Sequence, residues 1–185
     1  MSYQRLNLVL KDNEEARVMN KIQQWDLRVC QLCLLHPYNR TLARVSRIVS
    51  HSGDGPLYLL LALLLWQQGA RGQGAVETSL FAFALELPLY LLLKNSLKRA
   101  RPSGLPVFIT PSDRYSLPSG HTAAAFLMAT VLAASYPEWA GSLFAWAGMV
   151  AASRLLLGVH YGSDLLAGAL LGVSCASLAL GWGQG

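Results

Sequence analysis

Charged residues and cysteines are both scarce in this chain. Only 14% of the 185 residues are Asp, Glu, Lys or Arg, whereas 53% are hydrophobic. So few charges leave too little polar surface to coat a soluble particle, which favours a single membrane domain. Cys30 and Cys33 form a lone CxxC and Cys175 lies in an apolar run, so we expect free thiols and no disulfide framework. The N-terminus lacks the hydrophobic segment of a cleavable signal peptide.

Long apolar runs begin after residue 50. A helix that spans a membrane needs about 20 mostly apolar residues. Five segments predict such helices: 53–69, 75–93, 121–136, 139–157 and 165–182. The expected fold class is therefore all-α, an integral membrane helical bundle, with residues 1–50 as a polar interfacial cap and residues 51–185 as the transmembrane domain.

The cap contains two segments with the periodicity of amphipathic helices. Residues 25–35 place Trp25, Val29, Leu32 and Cys33 on one side, and residues 40–48 alternate apolar side chains with arginines. Basic amphipathic helices commonly lie in the headgroup layer of a membrane. Packing against the loops of the domain is an equally good interpretation, and the pattern leaves both open.

The first of three polar clusters follows the second predicted span. Lys94 and Arg101 are seven residues apart, which on a helix is two turns and about 10 Å along one face. Two cations so placed can approach one anion from different depths. Lys98 lies near the same face, Arg99 is expected to point away toward headgroups or solvent, and Pro102 is expected to stop the helix.

The second cluster, Pro-Ser-Gly-His, leads directly into the third predicted span. Ser119 can cap this helix, and the N–H groups at Gly120 point outward. A helix N-terminus of this kind is a ready anion site. His121 would stand beside the bound anion, where it can give a proton to a leaving oxygen.

The third cluster joins the fourth and fifth predicted spans. Arg154 suits bidentate contact with a phosphate, and His160 follows six residues later. Asp164, four residues beyond His160, can hold the imidazole in the tautomer that presents its other nitrogen for attack. Ser163 is a candidate N-cap of the fifth span. Counting five spans places all three clusters on the same side of the membrane.

One carboxylate falls inside a predicted span. Glu86 lies eight residues before Lys94, about 12 Å deeper along the helix axis. An ionisable residue at this depth is costly and favours a functional hypothesis. It could tune the site or line a lipid entrance, and a structural, hydrogen-bonded role is as good an interpretation.

Together the clusters resemble the type 2 phosphatidic acid phosphatase superfamily. That family's pattern is Lys-x6-Arg-Pro, then Pro-Ser-Gly-His, then Ser-Arg-x5-His-x3-Asp, and this chain matches every element from Lys94 to Asp164. The resemblance implies that His160 is a nucleophile forming a phosphohistidine, Asp164 its support and His121 the general acid. It also implies a phosphate-binding set and no metal or cofactor; the set comprises Lys94, Arg101, Ser119, Gly120 and Arg154.

The resemblance implies an integral-membrane lipid phosphatase acting on a lipid phosphate monoester or pyrophosphate, such as undecaprenyl diphosphate, phosphatidylglycerophosphate or phosphatidic acid. Transfer of the phosphate to another lipid or sugar, or a non-catalytic lipid-binding relative, are the alternatives. The expected partners are the lipid substrate and membrane lipids, not nucleic acid. A bacterial inner membrane is the expected location. All Lys and Arg except Arg71 fall on the site's side, which favours the cytoplasmic face, whereas many relatives face the periplasm.

Overall fold

The described part of the chain is entirely helical. A computed structural model describes residues 21–182, in which there is no strand, and the all-α prediction is confirmed. The helices are α1 Lys21–Leu34, α2 Asn39–His51, α3 Gly55–Trp66, α4 Ala70–Leu97, α5 Gly120–Ser135, α6 Ala140–Leu156 and α7 Gly162–Trp182, with a 3₁₀ turn at Pro137–Trp139 between α5 and α6.

Two helices are long and apolar enough to cross a membrane by themselves. These are α4, with 28 residues, and α7, with 21 residues. Helices α2 and α3 meet the same test as a pair bent by 44°. Alone, α3 has 12 residues and a length of about 18 Å, well short of the predicted first span and of a bilayer core about 30 Å thick. The bent pair is therefore the unit that corresponds to that prediction.

The bundle is built with small residues inside and large apolar residues outside. Its central helix is α5, which packs most extensively against α7 and α6. Ala123, Ala125 and Ala129 of α5 are fully buried, whereas Leu80 and Leu170 on the surrounding helices are 63% and 69% exposed. A water-soluble protein of this size would bury such leucines. Close contact through small residues with leucines facing outward is the pattern of helices that pack within lipid.

Helices α5 and α7 approach each other closely because α7 presents glycines. A Cβ on Gly168 would lie 2.5 Å from the Ser119 carbonyl oxygen, and one on Gly172 would lie 2.1 Å from the Ala123 carbonyl oxygen. No larger residue fits without moving a backbone. The contact brings the N-terminus of α5 beside the N-terminus of α7, and thus the second polar cluster beside the third.

Helix α1 packs against α6 and α7, and only part of its predicted apolar side enters the contact: the Trp25 ring meets Gly162, whereas Leu32 points outward. Asp26, Cys30 and Leu34 are its buried residues, whereas Leu32 is 77% exposed. Helix α2 likewise leaves Ile48 exposed. The division of the chain at residue 50 stays a prediction, and residues 1–20 of the proposed cap lie outside the described residues.

Candidate active site

The three polar clusters converge on one cavity at one end of the bundle. The cavity has a volume of about 510 Å³. Its lining includes five of the predicted catalytic and phosphate-binding residues together with the auxiliary candidate Glu86; the five are Arg101, Gly120, His121, Arg154 and His160. Lys94, Ser119 and Asp164 are buried behind this lining. The sequence motifs thus come together in space, as the topological argument required.

The first cluster differs from the expected two-turn helix. Helix α4 ends at Leu97, because Lys98 adopts a left-handed conformation with φ of 46°. The helix therefore stops before Pro102 is reached, and Arg101 lies in the loop between α4 and α5. Lys94 remains on the last turn of α4. The two cations still approach one point, from the helix and from the loop respectively.

That point is occupied by a carboxylate that the sequence analysis missed. Lys94 Nζ lies 2.5 Å from Asp113 Oδ2, and Arg101 donates a hydrogen bond to Asp113 Oδ1. The Tyr90 hydroxyl donates a third hydrogen bond, of 2.7 Å. Burial alone would raise the pKa of Asp113, but these hydrogen bonds and the charges of Lys94 and Arg101 lower it to about 2. Asp113 is therefore an ionised internal ligand of the two cations.

The buried charge of Arg154 has fewer partners than the charges of Lys94 and Arg101. It is only 4% exposed, and its Nη1 donates a 2.7 Å hydrogen bond to Ser50 Oγ of α2. Its Nε is buried and has no hydrogen-bond partner within residues 21–182. A buried guanidinium with an unused donor beside a cavity favours an anionic ligand there.

The second cluster presents a helix N-terminus to the cavity. Ser119 is in an extended conformation and α5 starts at Gly120. The expected side-chain cap is absent: Thr122 Oγ1 donates to Ser119 Oγ instead. A Cβ on Gly120 would meet the Tyr90 ring at 3.1 Å, so the glycine allows close packing here. The first N–H groups of α5 have no partner within the helix, and its dipole favours an anion at this end.

His121 is held by a carboxylate from the turn between α2 and α3. Its Nε2 lies 2.9 Å from Asp54 Oδ1, and the other Asp54 oxygen is 2.7 Å from His51 Nδ1. The residues from Ser52 to Gly55 have the composition of a turn, and nothing in their pattern links Asp54 to a histidine 67 residues away.

The third cluster places His160 between helices α6 and α7, with 3% of its surface exposed. Its Nδ1 lies 3.7 Å from Asp164 Oδ2, beyond hydrogen-bond distance, and has no hydrogen-bond partner in the described chain. Burial, reinforced by the charges of Arg101 and Arg154, lowers the pKa of His160 to about 4. The imidazole is therefore neutral at pH 7, which is the form with a nucleophilic lone pair.

The expectation that Arg99 points away from the site is wrong. Its guanidinium lies 2.7 Å from Asp164 Oδ1 and 2.5 Å from Asp26 Oδ2. The reason is the left-handed residue Lys98, which ends the helix and turns the chain inward one residue before Arg99. Ser163 is also not an N-cap: α7 starts at Gly162, and the Ser163 hydroxyl donates to Asp26.

The far part of the cavity is apolar. Its lining there comes from Pro56 and Tyr58 of α3 and from Phe83 and Leu87 of α4, and Glu86 is the one carboxylate that it takes from α4. A second cavity of about 260 Å³ shares Asp54, His121 and Arg154 with the first, and its lining also includes Arg47, Ser50, His51 and Thr110. His121 and Arg154 thus stand where the two cavities meet.

Within residues 21–182, no three His, Cys, Asp or Glu side chains converge in a way that could hold a metal ion. Cys30, Cys33 and Cys175 are unpaired. Cations and N–H groups are the electrophilic groups that the described site offers to an anion.

The protein is a membrane-embedded helical bundle in which two histidines and buried cations surround one cavity, and this combination defines its class. A model of the PAP2 superfamily matches residues 76–185, which contain all three clusters, and the chain belongs to that superfamily.

Individual relatives agree with this assignment. YbjG of Escherichia coli K12, which carries the name of an undecaprenyl-diphosphatase, is 30% identical over 132 residues. That match covers 66% of this chain, and the chain spans 65% of the length of YbjG.

Two crystal structures have the same fold. LpxE of Aquifex aeolicus superposes with a TM-score of 0.74 at 27% identity, covering 84% of this chain and 94% of LpxE. A transmembrane PAP2 type phosphatidylglycerolphosphate phosphatase from Bacillus subtilis superposes with a TM-score of 0.72 at 24% identity, covering 99% and 97% of the two chains. An integral membrane protein related to phosphatases is the resulting assignment.

Proposed function

We propose that this protein is an integral-membrane lipid phosphatase that removes phosphate from a lipid phosphate monoester or pyrophosphate through a phosphohistidine. The observation that carries the proposal is the convergence of His160 and His121 with Arg101 and Arg154 on one cavity. Undecaprenyl diphosphate, phosphatidylglycerophosphate and phosphatidic acid are the candidate substrates. The names of the relatives fall within this set, and a bacterial inner membrane is the proposed location.

In the first step, Nε2 of His160 attacks phosphorus and the bond from phosphorus to the leaving oxygen breaks. The proton of His121 passes to that oxygen. The low pKa of His160 supports this role, because the attacking imidazole has to be unprotonated. Asp164, which faces Nδ1, supports the imidazole from behind.

In the second step, water attacks phosphorus, the phosphorus–nitrogen bond breaks, and His121 takes a proton from the water. The products are inorganic phosphate and a lipid alcohol, or a lipid monophosphate when the substrate is a diphosphate. Lys94, Arg101 and Arg154, with Ser119 and the N–H of Gly120, would stabilise the charge that develops on the phosphoryl oxygens. Glu86 is an auxiliary candidate, since it lines the cavity toward the apolar end.

The apolar part of the cavity supports a lipid substrate. Its walls come from α3 and α4, and both helices carry leucines on their outer surfaces. A lipid chain leaving the scissile phosphate would pass between these helices into the surrounding membrane.

Phosphate transfer is the second candidate function. The second cavity, which also borders His121, has room for a small alcohol as well as for water. A hydroxyl group bound there would approach the phosphohistidine from beside His121 and Arg154. The chemistry would be the same, with the acceptor oxygen in place of water.

The direct test is to trap the covalent intermediate. Purified protein in detergent is mixed with each candidate lipid carrying ³²P on its terminal phosphate and quenched in alkali, in which phosphohistidine is stable. We expect acid-labile label on the wild-type protein and none on His160→Ala. Label that persists in His160→Ala would refute the proposed nucleophile.

A further inference from the structure

Helix α1 lies directly behind the segment that carries His160. The Cys30 thiol points to the His160 carbonyl oxygen at 3.9 Å. The Trp25 ring covers Gly162, where a Cβ would lie 2.7 Å from it. Between these two contacts, Asp26 is completely buried. A helix from the N-terminal segment thus forms the back wall of the proposed catalytic site.

Asp26 uses both carboxylate oxygens on residues of that segment and of the preceding loop. Oδ1 accepts a 2.9 Å hydrogen bond from the N–H of Ser163. Oδ2 accepts one of 2.6 Å from the Ser163 hydroxyl and one of 2.5 Å from Arg99 Nη2. A fully buried carboxylate needs this degree of compensation, and the contacts leave it little rotational freedom.

Arg99 links Asp26 to Asp164. Its Nη2 pairs with Asp26, and its Nη1 donates to Asp164 Oδ1 at 2.7 Å. Its guanidinium also stacks on the Tyr161 ring, with its central carbon 4.4 Å from the ring centroid. A planar fork that binds two carboxylates and a ring at once has one possible orientation, which a lysine could not reproduce.

The two carboxylate oxygens of Asp164 consequently contact different partners. Oδ1 is held by Arg99, whereas Oδ2 accepts the 2.8 Å hydrogen bond from the Tyr161 N–H and faces His160 Nδ1. If Arg99 moved, the carboxylate could rotate and the oxygen facing His160 would shift. The position of the Asp164 carboxylate beside His160 therefore depends on a chain of contacts that starts in α1.

We propose that Asp26 and Arg99 are positioning residues for the nucleophile, acting on His160 through Asp164. Arg99 occupies one of the six unspecified positions of the Lys-x6-Arg-Pro motif, and Asp26 lies 68 positions before Lys94, outside all three motifs. The inference rests on the proposed function, since it assigns these residues to the orientation of His160. It makes α1 a part of the catalytic site as well as of the membrane-facing cap.

The test measures the rate of phosphoenzyme formation in a single turnover, with the lipid that labels the wild-type protein. Outer partners of a functional histidine are typically worth about 10- to 100-fold in activity, so Asp26→Asn and Arg99→Gln should slow this step by at least about tenfold. The KM should change little, because neither residue lines the cavity. Arg99→Lys should fall between wild type and Arg99→Gln, because it retains the charge without the fork.

A double-mutant comparison separates positioning from folding. If Asp26 acts through Asp164, adding Asp26→Asn to Asp164→Asn should slow the step by less than about twofold. The reason is that Asp164→Asn already removes the carboxylate through which Asp26 acts on His160. A purely structural role would multiply the two losses. A double variant whose rate loss equals the product of the two single losses would overturn the inference, and so would a wild-type rate in Asp26→Asn.

Glu138→Gln is the matched control, because Glu138 pairs with Arg71 at 3.0 Å at the opposite end of α4. It also removes a pair between an arginine and a carboxylate, in this case one that is about half exposed, and should keep the wild-type rate. Thermal unfolding of each variant checks that it is folded. A wild-type protein that forms no phosphohistidine would overturn the proposed function together with this inference, whereas equal rates in wild type and Asp26→Asn would overturn the inference alone.

Discussion

Replacing Asp113 by asparagine removes the carboxylate that joins Lys94 and Arg101. These are two of the cations that the proposed function assigns to the substrate phosphate, so an incoming phosphate must compete with Asp113 for them. Asparagine keeps the size of the side chain but cannot match its charge. We therefore expect Asp113→Asn to bind inorganic phosphate and orthovanadate more tightly than the wild type.

The magnitude follows from the pKa of Asp113, which is lowered from 3.8 to about 2. The interactions that cause this shift correspond to about 2.5 kcal/mol at 1.36 kcal/mol per pKa unit. The side chain is 32% exposed, and screening by solvent reduces the useful part to about 1–2 kcal/mol. Since 1.4 kcal/mol is a factor of ten, the inhibition constant of phosphate should fall by about tenfold.

The same change should lower the stability of the fold. A depressed carboxyl pKa contributes stability that is fully present above pH 3.8 and is lost as the pH falls toward 2. Asp113→Asn loses this contribution at pH 7, so its Tm should be lower than that of the wild type. Tighter anion binding together with lower stability is a combination that general damage to the site would not produce.

The assay measures inhibition of lipid phosphate hydrolysis by phosphate and by orthovanadate at pH 7, with Glu138→Gln as the control for a lost carboxylate elsewhere. Unchanged or weaker inhibition in Asp113→Asn would refute the reasoning. It would mean that Asp113 stays in place when the substrate binds and helps to form the anion site.

Three further predictions concern the acid and the helix packing. Asp54→Asn should shift the alkaline limb of the kcat pH profile to lower pH, because the hydrogen bond to the Asp54 carboxylate favours the protonated form of His121. An unshifted limb would argue against this contact in the working enzyme. His121→Ala should slow phosphoenzyme formation on lipids with a poor leaving group by about 100-fold or more, measured by rapid quench, and should slow it much less on an activated aryl phosphate. Gly172→Ala should lower both Tm and kcat, because its Cβ would lie 2.1 Å from the Ala123 carbonyl oxygen, whereas Gly181→Ala on the same helix, with nothing within 4 Å, should change neither.

The fold class and the meeting of the motifs were predictable from the sequence. Apolar run length predicts helices, and the number of runs between two polar clusters decides whether the clusters can meet. Helices α5, α6 and α7 agree in position with the predicted segments to within three residues, and α4 extends its segment by five residues at the start and four at the end. Of the five predicted spans, only those of α4 and α7 are long and apolar enough to cross a membrane as single helices. Apolar length alone could not indicate that α2 continues into α3 through a 44° bend.

The carboxylates that balance the site's cations were not predictable. Asp26, Asp54 and Asp113 are single residues in unremarkable segments, and each acquires its role through a contact with a residue distant in the sequence. Periodicity carries no information about such contacts. Arg99 was misplaced for a local reason, because the helical spacing was extended beyond Leu97, where a left-handed Lys98 ends the helix.

In the proposed mechanism, His160 attacks a lipid phosphate without help from a metal ion. The most direct measurement is phosphate release by purified protein in the presence of a chelator, from undecaprenyl diphosphate, phosphatidylglycerophosphate, phosphatidic acid and a soluble phosphate ester. We predict chelator-resistant release from at least one lipid, and no release by folded His160→Ala. Normal phosphate release by His160→Ala would contradict the proposed mechanism, and so would release that a chelator abolishes and added metal restores.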